Sequence, residues 1–181
     1  MRKDLQNGRS MIEMLGVLSI IGILTVGGFS LISKTVTENK INKVIDEIGD
    51  LSRRTRVIFR DYIYDESPSN DTNMSEYIYN AKSYPDVLEW DSSDNVFVDD
   101  EDLKMSVYYT VKNEVEYFIV KVDNMTEEIC MAVANGQWGT AATNGFSGIS
   151  FSDSTAIGGS IDLGTAANTC ADDTTIYLSF R

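Results

Sequence analysis

The sequence predicts an α+β fold in which a long N-terminal helix packs against an antiparallel β-sheet. Three observations predict it: helical periodicity, first wholly apolar and then amphipathic, from Met11 to about Tyr62; a change to a two-residue period after Lys104; and a last alternating segment, Thr174 to Phe180.

The first element begins with the run MIEMLGVLSIIGILTVGGFSLI, residues 11 to 32, whose only charge is Glu13. As a helix it spans about 33 Å, enough to cross a hydrocarbon layer of roughly 30 Å. A secretory signal peptide fits the small residues Val26-Gly27-Gly28, but this run is longer than the usual apolar core and carries a carboxylate near its start. A plain membrane anchor explains the length. It gives no reason to keep Glu13 where an ionisable group costs about 3 kcal/mol or more. Ser10-x-x-Glu13 also fits a capping box, which starts a helix under any of these readings. Gly16, Gly22, Gly27 and Gly28 weaken a helix in water, yet in lipid small residues let helices approach closely.

The residues Gly8-Arg9-Ser10-Met11-Ile12-Glu13-Met14-Leu15, behind a short leader with Arg2 and Lys3, resemble the class III signal of type IV prepilins and pseudopilins. The resemblance implies cleavage after Gly8 by a prepilin peptidase, N-methylation of the new N-terminal Arg9, and an assembly role for Glu13, the fifth residue of the mature chain. Arg9 stands where the family generally has Phe, Met or Leu, and Ser30 where many members have a helix-kinking Pro.

Beyond Ile32, the residues Ile41, Val44, Ile45, Ile48, Leu51, Ile58 and Tyr62 keep one broad apolar face, so the helix is expected to continue as an amphipathic half. Lys34, Lys40, Lys43, Arg53, Arg54, Arg56 and Arg60 make this half basic despite Glu38, Asp46, Glu47 and Asp50. These charges read as a solvated face, and Arg53, Arg54, Arg56 and Arg60 are expected to meet acids of the following region in the same or an adjacent subunit. That region, residues 61 to 102, is strongly acidic with Lys82 its one base, and Tyr77, Tyr79, Tyr84, Pro85 and Trp90 suggest an ordered connection. Asp99-Asp100-Glu101-Asp102 invites a calcium reading. It lacks the alternating ligands and the turn Gly of an EF-hand loop, so the sequence assigns no metal site.

Met105 to Val111 and Glu114 to Val122 alternate around a Lys112-Asn113 turn and read as a β-hairpin. Asn124 is the expected cap of a short helix, Met125 to Ala134, with Cys130 on its apolar side. Residues 135 to 168 are rich in Gly, Ser, Thr, Ala and Asn and read as loop, with a strand expected at Phe146 to Phe151. The chain's two cysteines, Cys130 and Cys170, suit one disulfide or two buried thiols. A short helix holding Ile129-Cys130, a long polar excursion, and Cys170 just before a last strand resemble the tail of type IVb pilins. That resemblance implies a Cys130–Cys170 bond and a pilin fold with a disulfide-closed C-terminal region. Asn70-Asp71-Thr72, Asn73-Met74-Ser75 and Asn124-Met125-Thr126 match the glycosylation tripeptide, a pattern frequent by chance.

A formal net charge of −13 argues against a nucleic-acid partner, since phosphate binding needs clustered Lys and Arg. The absence of His removes the commonest general base and metal ligand, so neither enzymatic activity nor a cofactor is expected. The expected organisation is a leader over residues 1–8, a membrane or filament-core half-helix over 9–32, an amphipathic half over 33–62 and a globular head over 63–181. Expected function is that of a structural subunit of a type IV, most like type IVb, pilus. Its implied partners are copies of itself, the peptidase and the inner-membrane assembly machinery; its implied places are the bacterial inner membrane and then the extracellular filament. A minor pilin, a type II secretion pseudopilin and a membrane-anchored extracellular binding protein or adhesin are the alternatives.

Overall fold

The computed structural model describes the backbone of residues 4–181 and the side chains of residues 13–21 and 34–181 other than 154 and 155. Two compact units divide the chain, Met1–Asn42 and Lys43–Arg181. In order, the elements are α1 (Asp4–Glu66), β1 (Thr72–Asn73), α2 (Ser75–Asn80), β2 (Glu89–Asp91), β3 (Val96–Val98), β4 (Lys104–Lys112), β5 (Val115–Met125), α3 (Glu127–Ala134), β6 (Phe146–Ser150), α4 (Asp153–Ala156), α5 (Leu163–Thr169) and β7 (Thr174–Phe180).

In the second unit, α1 buries Val44, Ile48, Leu51, Thr55, Phe59 and Tyr62. Their steps of three and four residues draw one stripe down a helix of 3.6-residue period. Phe59 meets Phe118 of β5 and Tyr109 of β4 at ring-centroid distances of 5.1 and 6.1 Å, so this stripe lies on the sheet. Each fully buried aliphatic side chain in it contributes about 1.5–3 kcal/mol relative to exposure.

The sheet is antiparallel and seven-stranded, in the order β2-β3-β4-β5-β7-β6, with β1 pairing β4. β3 and β1 take opposite ends of β4, matching Phe97 with Met105 and Thr72 with Tyr109. Strand residues of one parity share a face: Met105, Val107 and Tyr109 of β4, Phe118, Val120 and Val122 of β5, and Ile176, Leu178 and Phe180 of β7 are all buried. The β4–β5 hairpin closes with Lys112 opposite Val115. Its two turn residues, Asn113 and Glu114, have φ of 53° and 63°, the doubly left-handed geometry whose twist matches the strands.

The C-terminal half is tied together around α3. Thr126 caps this helix by accepting a hydrogen bond from Ile129 N, whereas Asn124, the expected cap, lies within β5 at φ 63°. Trp138 Nε1 donates to Val133 O at 2.9 Å and folds the following segment back on the helix end. Cys130 of α3 is bonded to Cys170, which ends α5, with Cα atoms 5.6 Å apart.

The protein is thus α+β with a disulfide, but the predicted pilin fold, a long N-terminal helix packed against the sheet, is overturned on two counts. The helical stretch that carries the buried stripe, residues 34–66, is not at the N-terminus: among the described residues of α1 the buried ones begin at Val44, while Met14 to Ile21 are exposed. The sheet is also larger than the predicted hairpin with added strands, because the acidic region 72–98 supplies β1, β2 and β3. These strands are two or three residues long, too short for a two-residue alternation to register in sequence. Tertiary pairing, not local pattern, makes them.

Candidate functional site

Two groups of residues carry chemical information: the N-terminal part of α1 and a carboxylate cluster in the sheet-bearing unit. Gly8 and Arg9, the expected cleavage and methylation residues, lie outside the described side chains, as do residues 11, 12 and 22–32 of the apolar run. Glu13 is described and exposed. The large apolar side chains that follow it, Met14, Leu15, Val17, Leu18, Ile20 and Ile21, are 52–68% exposed. Among the described residues no helix is long and apolar enough to cross a membrane.

Glu47 occupies the buried stripe of α1, one position before Ile48 and four before Leu51, and is only 4% exposed. Opposite it lies the turn between β3 and β4, which carries Asp99 and Asp100. Oxygens of Glu47, Asp99 and Asp100 lie within 4.8 Å of one another. The turn is held by Asp99 itself: its Oδ1 accepts from Glu101 N at 2.9 Å and from Leu103 N at 2.8 Å. Asp99 Oδ2 and both Glu47 oxygens are buried without a hydrogen-bond partner. A nearby cation is Lys43, one turn earlier on α1, which is hydrogen-bonded to Asp100 and stands 3.6 Å from Glu47 Oε1.

Burial and the Asp99 charge push the Glu47 carboxyl up to about 7, against the opposing pull of Lys43. Burial also raises Asp99, although the Leu103 and Glu101 amides that bond its carboxylate work the other way. The hydrogen bond to Asp100 leads the causes that raise Lys43. Two desolvated carboxylates therefore face each other, and burial disfavours the charged form of both.

Sequence reasoning placed Glu47 on a solvated face. The signal against that was present, because Glu47 sits three residues after Val44 and four before Leu51, inside the apolar stripe. Its partners, some fifty residues on, carry no local signal at all. Within the chain, Arg53 and Arg54 both pair with Asp50 of their own helix, Arg54 Nε at 2.9 Å from Oδ2, while Arg56 and Arg60 are exposed. One contact from the helix to that acidic region runs from Lys43 to Asp100.

On the sheet face away from α1, Tyr108, Ile119, Lys121 and Tyr177 line, with Asp71 and Asp153, a cavity of about 220 Å³. Lys121 there is paired to Asp123 at 2.7 Å.

No protein-family model, curated protein or solved structure matches the chain.

Proposed function

We propose that the protein is the structural subunit of a filament of the type IV pilus kind, assembled through the N-terminal part of α1 after cleavage of a leader at Gly8. The observation that carries this reading is Glu13, exposed in the N-terminal part of α1, where the large side chains that follow it are apolar and 52–68% exposed. Such a segment is stable only in lipid or against other helices. In lipid a lone carboxylate is costly, so it needs a cationic partner that the assembled state supplies. Cleavage before Arg9 creates that partner, a free α-amino group on each neighbouring copy. Support comes from the spacing Gly8, Arg9, Glu13 at a hydrophilic-to-apolar junction and from a Cys130–Cys170 bond that suits an oxidising exterior.

The test is a strain set carrying Glu13→Ala, Glu13→Gln and Gly8→Val. Gly8→Val is expected to leave the leader uncut, read by intact mass. Glu13→Ala and Glu13→Gln are expected to insert into membranes and to be cut normally, yet to yield few or no filaments on shearing. Normal filament yield from both Glu13 variants refutes the assembly role, and a mature N-terminus near Phe29 replaces the whole reading with that of an ordinary signal peptide.

A further inference from the structure

Arg56, Val57, Arg60 and Tyr64 recur at steps of one, three and four residues and so share the side of α1 turned away from its buried stripe. All four are exposed, Val57 to 76% and Tyr64 to 87%. Asp50 meets the charges of Arg53 and Arg54, but among the described residues Arg56 and Arg60 enter no ion pair. A second patch answers this face in sign and layout. Pro85 and Leu88 are buried, and Leu88 N donates to Pro85 O at 3.1 Å, so their turn is pinned to the body while Asp86 and Val87 stay outside. Asp86, Val87 and Glu89, the first residue of β2, are all exposed, and among the described residues neither acid enters an ion pair. Lys82, the one base of the acidic region, lies over the Tyr79 ring. Each patch thus sets an exposed valine among charges of one sign, positive on the helix and negative on the turn.

We infer that the face of α1 bearing Arg56 and Arg60 docks on the patch bearing Asp86 and Glu89 of a second copy of the chain. Charge complementarity selects this occupant. A net charge of −13 makes repulsion the default between copies, so an arginine face is where a second copy can approach. The arginines of one copy meet the two acids of the next, and Val57 and Val87 cover each other between them. Arg and Tyr are also the residue types that carry much of the energy of protein interfaces, and Tyr64 extends the face by one turn. Within one chain the two patches form no ion pair, so the contact runs between copies. A contact between two different patches is heterologous, and it propagates along a filament when its rotation does not close. The inference rests on the filament reading for its setting and adds a contact through the sheet-bearing unit to the one through the N-terminal part of α1.

The experiment is charge reversal in a strain expressing the full-length chain, read by the yield of sheared filaments, with intact mass to check leader removal. Arg56→Glu with Arg60→Glu, and separately Asp86→Lys with Glu89→Lys, are each expected to cut the yield at least about tenfold, because like charges then face each other. The fourfold variant restores opposite signs and is expected to recover it. Asp172→Lys, an exposed acid before β7, is expected to leave the yield unchanged. A second measurement needs no filaments. The chain has no free cysteine, so Val57→Cys with Val87→Cys, mildly oxidised in the membrane of the same strain, is expected to give a ladder of disulfide-linked oligomers, and each single variant no more than a dimer. Normal yield from both reversed pairs overturns the inference, as does a fourfold variant that recovers nothing while the paired cysteines give no ladder. A ladder from a strain whose unaltered chain makes no filaments removes the filament reading and keeps the contact, whereas filaments that survive both reversals keep that reading and remove the contact.

Discussion

Phe59 of α1 stands against Phe118 of β5 with ring centroids 5.1 Å apart and planes inclined by 59°. Phe118 in turn stacks on Phe180 of β7 at 5.4 Å, so one aromatic row joins the helix to two central strands. Deleting a buried Phe side chain costs the lost transfer energy and leaves a cavity, together about 3–5 kcal/mol. Phe59→Ala is therefore expected to lower unfolding free energy by that amount in a denaturant titration. Val57→Ala, at a residue 76% exposed, is expected to stay within about 0.5 kcal/mol.

Cys130 and Cys170 close a loop of 40 residues between α3 and the last strand. On the chain-entropy account, a loop of that length stabilises the folded state by about 4 kcal/mol. Reduction is expected to lower the denaturation midpoint accordingly and to expose residues 135–168 to protease. A midpoint unchanged by reductant would show that the bond constrains nothing.

Asp50 gives the protein an acid-sensitive contact. Burial pushes its carboxyl up, but hydrogen bonds and charge from Arg54 and Arg53 outweigh this and hold it below the ordinary aspartate value. A depressed folded pKa means stability that is present above the unfolded value of about 3.9 and is lost as pH falls through the lower folded value. Arg53 is 77% exposed and Arg54 41%, so solvent screening limits the contribution to about 1 kcal/mol or less. Asp50→Asn is expected to be less stable than the parent at pH 7, with the difference vanishing in acid below about pH 3. A difference that is constant across this range would sink the assignment.

Thr55 is fully buried in the α1 stripe and its hydroxyl has no hydrogen-bond partner. An unsatisfied buried hydroxyl costs about 1–3 kcal/mol, whereas a methyl group of the same shape does not. Thr55→Val is expected to stabilise the protein by about 1 kcal/mol in thermal or denaturant unfolding. Destabilisation instead would mean that the hydroxyl has an unrecognised partner.

Much of the secondary structure was legible locally. The hairpin of β4 and β5 and the last strand, Thr174–Phe180, follow from alternation, because each has one buried face and a length that shows it. The amphipathic part of α1 is legible too, although the periodicity points to Ile58 where Phe59 is the buried residue. Charge misled most. Glu47 reads as solvated because charged residues almost always are, and a local pattern cannot report a partner fifty residues away.

The sequence by itself determined where the long helix runs through the amphipathic half, where the long strands lie and which two cysteines were available, since each depends on neighbours within a few positions. Only the tertiary structure decided that Phe59 of the α1 stripe lies on the sheet, that short segments of the acidic region complete a seven-stranded sheet, and that Glu47 comes to Asp99 and Asp100. The reason is physical: period and propensity act along the chain, whereas sheet edges and buried charges are settled by whichever distant groups satisfy backbone hydrogen bonds and electrostatic balance.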